Sequence, residues 1–139
     1  MKIKVVSDLH LEFSDCYDIK NEHGADVLIL SGDIMLASPL HDFPADYDNT
    51  TIVSKRQVQA TRFRDFLRYC SEDFPHVVYV AGNHEFYGAP NYAERHQEIQ
   101  TLANAHENIH FLHASNPSFY CEDENVAVVG STLWTKVSS

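Results

Sequence analysis

The chain has 139 residues, and 44% of them are apolar, which is enough to bury the core of one ordinary domain. The 20 acidic residues outnumber the 10 basic ones, and the net charge of -10 excludes a broad basic surface for nucleic acid or an anionic membrane. The start turns polar at Ser7 and no apolar run reaches membrane-spanning length, so we predict no signal peptide and a cytoplasmic location. The cysteines are odd in number and lack metal-type spacing, which predicts free thiols at Cys16, Cys70 and Cys121.

Short β-branched runs alternate with helix-like stretches, a pattern typical of a layered α/β domain. Residues 3–6 and 27–30 are apolar runs that predict two strands, and their apolar faces predict that both lie inside a sheet. Residues 35–53 contain two prolines and show no period, which predicts a long loop. Ser54 resembles a helix cap, and the helix after it is expected to end near Glu72. Its buried face is predicted to carry Phe63, Phe66, Leu67 and Cys70.

Residues 76–81 predict a third strand, which a polar turn follows. Asn91 is expected to cap a second long helix, in which His96 should be exposed. The buried stripe of that helix is predicted to consist mainly of Tyr92, Ile99, Leu102 and Ala103. The remaining apolar runs predict a fourth strand and an antiparallel hairpin, at residues 109–112, 119–121 and 126–129. Since no break in composition marks a boundary, residues 1–139 are expected to form a single domain.

Polar residues that can bind metal follow three successive predicted strands. They are Asp8, His10, Asp33, Asn83 and His84. Parallel strands end on a common side of their sheet, so we expect these side chains to converge although they are far apart in sequence. Carboxylate and amide oxygens with an imidazole suit divalent ions such as manganese, iron or zinc.

The segments Asp8-Leu9-His10, Gly32-Asp33 and Gly82-Asn83-His84-Glu85 resemble, in order, three sequence blocks of the calcineurin-like metallophosphoesterases. Residues 130–135 resemble a later strand and turn of bacterial and phage members. The resemblance implies a layered α/β sandwich of the metallophosphoesterase type. It also implies a hydrolase of phosphate mono- or diesters that uses a dinuclear metal centre and a bridging hydroxide.

By the same resemblance, Asp8 and His10 would bind the first of two divalent ions, which in this family are manganese, iron, zinc or nickel. Asp33 would bridge both ions, since one carboxylate has enough oxygens to do so. Asn83 would bind the second ion. His84 would face the phosphate and act as general acid toward the leaving oxygen.

Other residues near these blocks are expected to support the site. Gly32 and Gly82 precede ligands at strand ends, where a larger side chain would obstruct the cations. Glu85 is expected to orient its neighbours without binding metal. The segment with His41 is longer than in compact members, and we expect it to form a wall of the substrate pocket, with Trp134 at the rim.

A simpler interpretation exists for each residue alone: Asp8 could form a turn and Asp33 could cap a helix. Their joint placement after successive strands favours the metal site. The other histidines match no block and are interpreted as solvated or packed residues: His23, His41, His76, His96, His106, His110 and His113.

Full family members carry further histidine ligands, but no histidine follows His113 here. We therefore expect a domain truncated before its C-terminal strands, with a weakened metal centre and impaired activity. The alternative function is a catalytically weak or inactive fragment that acts as an assembly or binding module with a vestigial metal site. A metal-free flavodoxin-like binder is a weaker alternative, because no Gly-rich phosphate loop is present.

The partners follow from the same interpretation. A phosphate-ester substrate is expected, but the motifs do not identify the group attached to the phosphate. The apolar runs 119–121 and 126–133 would be left uncovered by the absent strands, which predicts self-association into a homo-oligomer.

Overall fold

A computed structural model of the chain describes residues 1–11, 19–44, 54–88 and 91–132. The predictions for Cys16, for residues 45–53 and for Trp134 lie outside these ranges. Within them, Cys70 and Cys121 are free and buried, as predicted. Burial raises the pKa of the Cys70 thiol to about 12, which keeps it protonated.

A four-stranded parallel sheet forms the centre of the fold, in the order β1-β2-β3-β4. Its strands are β1 (Ile3–Val6), β2 (Val27–Ser31), β3 (His76–Val80) and β4 (Ile109–Leu112). In register, Val5 lies beside Ile29, which lies beside Val78. The mixed α/β class and the positions of these strands are confirmed, because each apolar run is bounded by polar or turn residues.

The prediction that the first strand lies inside the sheet is wrong, because β1 is an edge strand of the described sheet. Ile3 is 47% exposed and Val5 is 62% exposed, whereas Val6 packs against the main core. An apolar strand can therefore have only one covered face. The composition of a strand does not reveal whether other strands pair with both of its sides.

Two long helices, α2 (Lys55–Asp73) and α3 (Tyr92–Asn104), begin at the predicted caps. The Ser54 hydroxyl accepts the Gln57 N–H at 3.1 Å, and the side-chain oxygen Oδ1 of Asn91 accepts two N–H groups of the first turn of α3. The predicted buried face of α2 is confirmed. On α3, however, Tyr92 is 53% exposed and His96 is half-buried against Phe86. Phe86 contacts both rings, so the burial of these two residues depends on a neighbour outside the helix.

The interpretation of residues 35–53 as a loop is wrong in its first part, where Ser38–Asp42 forms the short helix α1. Pro39 stands in its first turn, where its missing N–H and fixed φ are tolerated. His41 on α1 contacts Glu98 on α3 at 2.8 Å. His41 also lines a cavity of about 480 Å³ between the helices, and the described lining of that cavity lacks the predicted site residues.

The sheet is covered differently on its two faces. The helices bury one face, where Leu28, Leu30 and Tyr79 join the main core. On the other face lies the antiparallel hairpin of β5 (Ser118–Cys121) and β6 (Val126–Val129), which confirms the predicted pairing. Phe119 and Val128 of this hairpin pack against a second cluster that contains buried residues of β2, β3 and β4.

Tyr120 and Val129 are exposed on the hairpin. The predicted self-association and cytoplasmic location stay predictions.

Among the described helices, none combines the length and apolar character needed to cross a bilayer.

Two histidines pack under the hairpin, as the interpretation of the unmatched histidines allowed. The His110 ring stacks on Phe119 with ring centres 3.9 Å apart, and the His76 ring lies 5.9 Å from that of His110. Burial, and then the neighbouring His76, lower the pKa of His110 below its usual value.

We expect the folded chain to lose stability as the pH falls below about 6.5, the usual pKa of histidine. A lowered pKa in the folded state means that the unfolded chain binds more protons, so the contribution is complete above that pH and is lost below it. Thermal unfolding between about pH 8 and pH 5 measures this effect. His110→Phe should reduce the slope, and an unchanged slope would show that other groups cause it.

Candidate functional site

The loops after β1 and β2 have an unusual backbone conformation. Asp8, His10 and Asp33 all have positive φ, at 56°, 49° and 53°. For residues other than glycine this conformation costs roughly 1–2 kcal/mol each. Hydrogen bonds between the loops hold it: Asp8 N–H donates to the Gly32 carbonyl at 3.0 Å, and His10 N–H to the Asp33 carbonyl at 3.2 Å. The two strand ends are therefore joined into one strained structure, as is common at functional sites.

The side chains from three strand ends meet there. The His10 Nε2 atom lies 3.9 Å from Asp8 Oδ1, and the His10 ring stands edge-on to the His84 ring with centres 4.6 Å apart. Asp33 Oδ1 accepts the backbone N–H of His84 at 2.8 Å. These contacts show the convergence that the order of strands and polar residues predicted.

Asn83 is placed differently from the other predicted site residues. Its amide nitrogen donates to the Tyr87 hydroxyl at 3.1 Å, and its side chain lies on the surface. The Tyr87 ring also contacts the His84 ring, with centres 4.7 Å apart. Sequence reasoning did not identify Tyr87 as a site residue, because nothing in the sequence marks it except its position three residues after His84.

Glu85 connects the strand ends from inside the protein. Its side chain is fully buried, at 0% exposure, in the short 3₁₀ turn His84–Phe86. The carboxylate accepts the backbone N–H groups of Asp33, Ile34 and Gly82 at 3.0–3.1 Å. This confirms that Glu85 orients its neighbours. Burial raises the pKa of Glu85, although hydrogen bonds from Ile34 and Tyr79 act in the opposite direction.

A second residue that sequence reasoning missed is Tyr79 of β3. Its hydroxyl donates to Glu85 Oε1 at 2.8 Å, and its side chain is also 0% exposed. Burial and then the Glu85 carboxylate raise the pKa of Tyr79 well above its usual value, so the hydroxyl remains a donor. A signal was present, since a tyrosine within an apolar strand needs a buried partner for its hydroxyl.

Two glycines allow the strand ends to approach each other. Gly32 has a φ of +88°, and a Cβ there would lie 3.1 Å from Gly82. A Cβ at Gly82 would lie 2.4 Å from Asp33 Oδ1. The need for small residues was predicted, but the group in the way is the Asp33 carboxylate itself.

The geometry agrees with a comparison of sequences. A profile of the calcineurin-like phosphoesterase family matches residues 1–131. The chain belongs to this family.

A curated relative is an uncharacterized protein, L509, of Acanthamoeba polyphaga mimivirus, which is 26% identical to the chain. The aligned region covers 98% of this chain and 45% of the relative, so the chain spans less than half of that protein's length. No solved structure matches the chain significantly.

The calcineurin-like phosphoesterases are metal-dependent in general. In the described ranges, no three His, Cys, Asp or Glu side chains are grouped closely enough to hold one ion. The donor types nevertheless fit divalent cations, since the loops after β1 and β2 carry two carboxylates and an imidazole. Asn83 adds an amide oxygen directly after Gly82, a glycine that leaves no Cβ against Asp33.

Residues 130–132, the described part of the later sequence block, also contact the end of the sheet where the predicted site residues lie. The Thr132 hydroxyl donates to the Ala81 carbonyl at 2.6 Å, directly after β3. Gly130 N–H donates to the Pro117 carbonyl at 2.8 Å, which ties the end of the hairpin to its beginning. The block therefore supports the backbone from which Gly82 and Asn83 extend.

Gly82→Ala is expected to damage the site more than the fold. The new Cβ would overlap Asp33 Oδ1, so the carboxylate must move, at a typical cost of about 1–3 kcal/mol. Manganese binding should fall at least about tenfold, the lower limit for changes that displace a ligand. Gly24→Ala is a control, because nothing lies within 4 Å of a Cβ there, although its positive φ also costs stability. Equal manganese binding in both variants would contradict the proposed crowding.

Proposed function

We propose that this chain builds the metal site of a phosphoesterase that hydrolyses phosphate mono- or diesters with the help of two divalent cations. The observation that carries the proposal is a set of pairwise contacts at the ends of three parallel strands: Asp8 with His10, the His10 ring with the His84 ring, and the Asp33 carboxylate with the His84 backbone. Family membership supports the same chemistry.

The chain's own residues have separate roles in this proposal. Asp8 and His10 hold one cation, Asn83 holds the other, and Asp33 contributes to both. One Asp33 oxygen is already oriented by the His84 N–H, which limits rotation of the carboxylate. When bound, the cations lower the pKa of a water molecule and neutralise charge on the phosphoryl oxygens. Manganese, iron, zinc and nickel are the candidate ions.

His84 is proposed as the general acid that donates a proton to the leaving oxygen. Its backbone is fixed by Asp33, and its ring lies between those of His10 and Tyr87. The orientation of the imidazole is therefore set before a substrate arrives, which reduces the entropy lost in reaching the reactive geometry.

The negative charge of the chain supports a metal requirement. A net charge of -10 repels an anionic phosphate ester, so local cations are needed to bring the substrate to this edge of the sheet. The nature of the group esterified to the phosphate is left open, because no contact among the described residues points to it.

The second candidate function is a binding module with a vestigial metal site. It is favoured by one observation, the lack of three grouped His, Cys, Asp or Glu side chains in the described ranges. Anomalous scattering from a crystal grown with manganese counts the ions and identifies their ligands. Two ions on the four proposed ligands support the enzyme, whereas one or none supports the module.

Hydrolysis of p-nitrophenyl phosphate and of bis-p-nitrophenyl phosphate, with and without manganese, tests the activity. Asp8→Asn should reduce the metal-dependent rate. Asp65→Asn is the matched control, because Asp65 forms an exposed ion pair with Arg68 on α2, outside the predicted site residues. Equal metal-dependent rates in the two variants would show that Asp8 is not part of the site.

A further inference from the structure

We propose that Tyr79 is a positioning residue of the metal site, which acts by holding the Glu85 carboxylate against the backbone of Asp33 and Gly82. This inference rests on the proposed function in so far as Asp33 serves as a metal ligand. It assigns a role at the site to a residue in the middle of the core.

The first step is the geometry of the Glu85 carboxylate. Its Oε2 atom accepts N–H groups from both Asp33 and Gly82 at 3.1 Å, so one oxygen joins the ends of β2 and β3. Its Oε1 atom accepts the Ile34 N–H at 3.0 Å and the Tyr79 hydroxyl at 2.8 Å. Three of these four donors are backbone groups, and the fourth is the Tyr79 side chain.

The second step is the tight fit around Asp33. Its backbone is in the left-handed region, and its carboxylate lies so close to Gly82 that no Cβ fits between them. The same carboxylate orients His84 through its backbone N–H. A small shift of the Asp33 backbone would therefore change both the proposed ligand and the proposed acid, and site geometry tolerates only about 0.5 Å.

The third step is the immobility of Tyr79 itself. Its ring is fully buried on β3 and packs near Phe63 and Phe111, with ring centres 6.3 and 5.6 Å away. The hydroxyl therefore cannot leave Glu85 by a simple rotation. Without it, Oε1 loses its side-chain donor, and a buried carboxylate with fewer donors is less well held.

The test compares Tyr79→Phe and Glu85→Gln with Ile99→Val. The phenylalanine keeps the packed ring and removes only the hydroxyl, so it separates positioning from core packing. Ile99→Val is a control for stability alone, since Ile99 is buried on α3 and such a change usually costs about 0.5–1.5 kcal/mol.

The first measurement is amide hydrogen exchange in the metal-free chain. In Tyr79→Phe, protection of the Asp33, Ile34 and Gly82 amides should fall about tenfold, relative to the amides that pair β2 with β3. The control should show no such selective loss. If these three amides exchange as in the parent, the inference is overturned whether or not the chain binds metal.

The second measurement is calorimetric titration with manganese. The dissociation constant should rise about tenfold in Tyr79→Phe and up to about 100-fold in Glu85→Gln, while the control stays unchanged. A selective loss of amide protection without a change in manganese affinity would reduce Tyr79 to a structural residue. If the parent binds no manganese and hydrolyses neither ester, the proposed function fails, but hydrogen exchange still decides whether Tyr79 positions the backbone.

Discussion

Asp33→Asn is expected to weaken manganese binding at least about 100-fold, because even groups that only orient a ligand change affinity by about 10–100-fold. The substitution keeps an oxygen that can accept the His84 N–H, so the backbone contacts should survive. What it removes is the charge and one oxygen of a carboxylate proposed to serve both cations. Calorimetric titration with manganese measures the loss.

Asp8→Asn provides the comparison, since Asp8 is proposed to bind only one cation. It should weaken one binding event and leave the other measurable. If Asp33→Asn bound manganese as well as the parent while Asp8→Asn did not, the assignment of Asp33 to both cations would be wrong. Circular dichroism of both variants checks that the fold is intact.

His84→Ala is expected to reduce turnover by about 100- to 10,000-fold, the usual contribution of a positioned general acid. Metal content should change much less, because His84 is proposed to face the substrate. The measurement pairs steady-state hydrolysis of p-nitrophenyl phosphate with the manganese content of the purified chain.

His84→Gln keeps more of the side-chain volume beside His10 and Tyr87, so it tests whether a loss comes from disturbed packing. His23→Ala is the matched histidine control, since His23 is exposed and lies outside the site contacts. Equal losses of turnover and metal content in His84→Ala would identify His84 as a ligand.

Local features were predictable because local physics decides them. The caps at Ser54 and Asn91 form within one helical turn, and apolar runs bounded by polar residues make strands in almost any layered fold. The approach of the loops that carry Asp8 and Asp33 was predictable for a topological reason, since the carboxyl ends of parallel strands lie on one side of a sheet.

Exposure was less predictable, because it depends on which other elements cover a surface. Ile3 and Val5 look like interior residues in the sequence, yet the sheet order places them on an edge strand. Tyr92 is more exposed and His96 more buried than expected, and both rings contact Phe86, which lies outside α3. Such packing brings together segments that are separate in the sequence, so a short stretch of sequence does not reveal the contact.

The sequence by itself determined the chemistry available to this protein, namely carboxylates, imidazoles and small glycines placed after successive apolar strands. Only the tertiary structure decided how that chemistry is held in place. Tyr79 and Glu85 are six residues apart, but Glu85 reaches Asp33 across 52 positions of the chain. A buried carboxylate needs donors from every side, and folding alone brings those donors together.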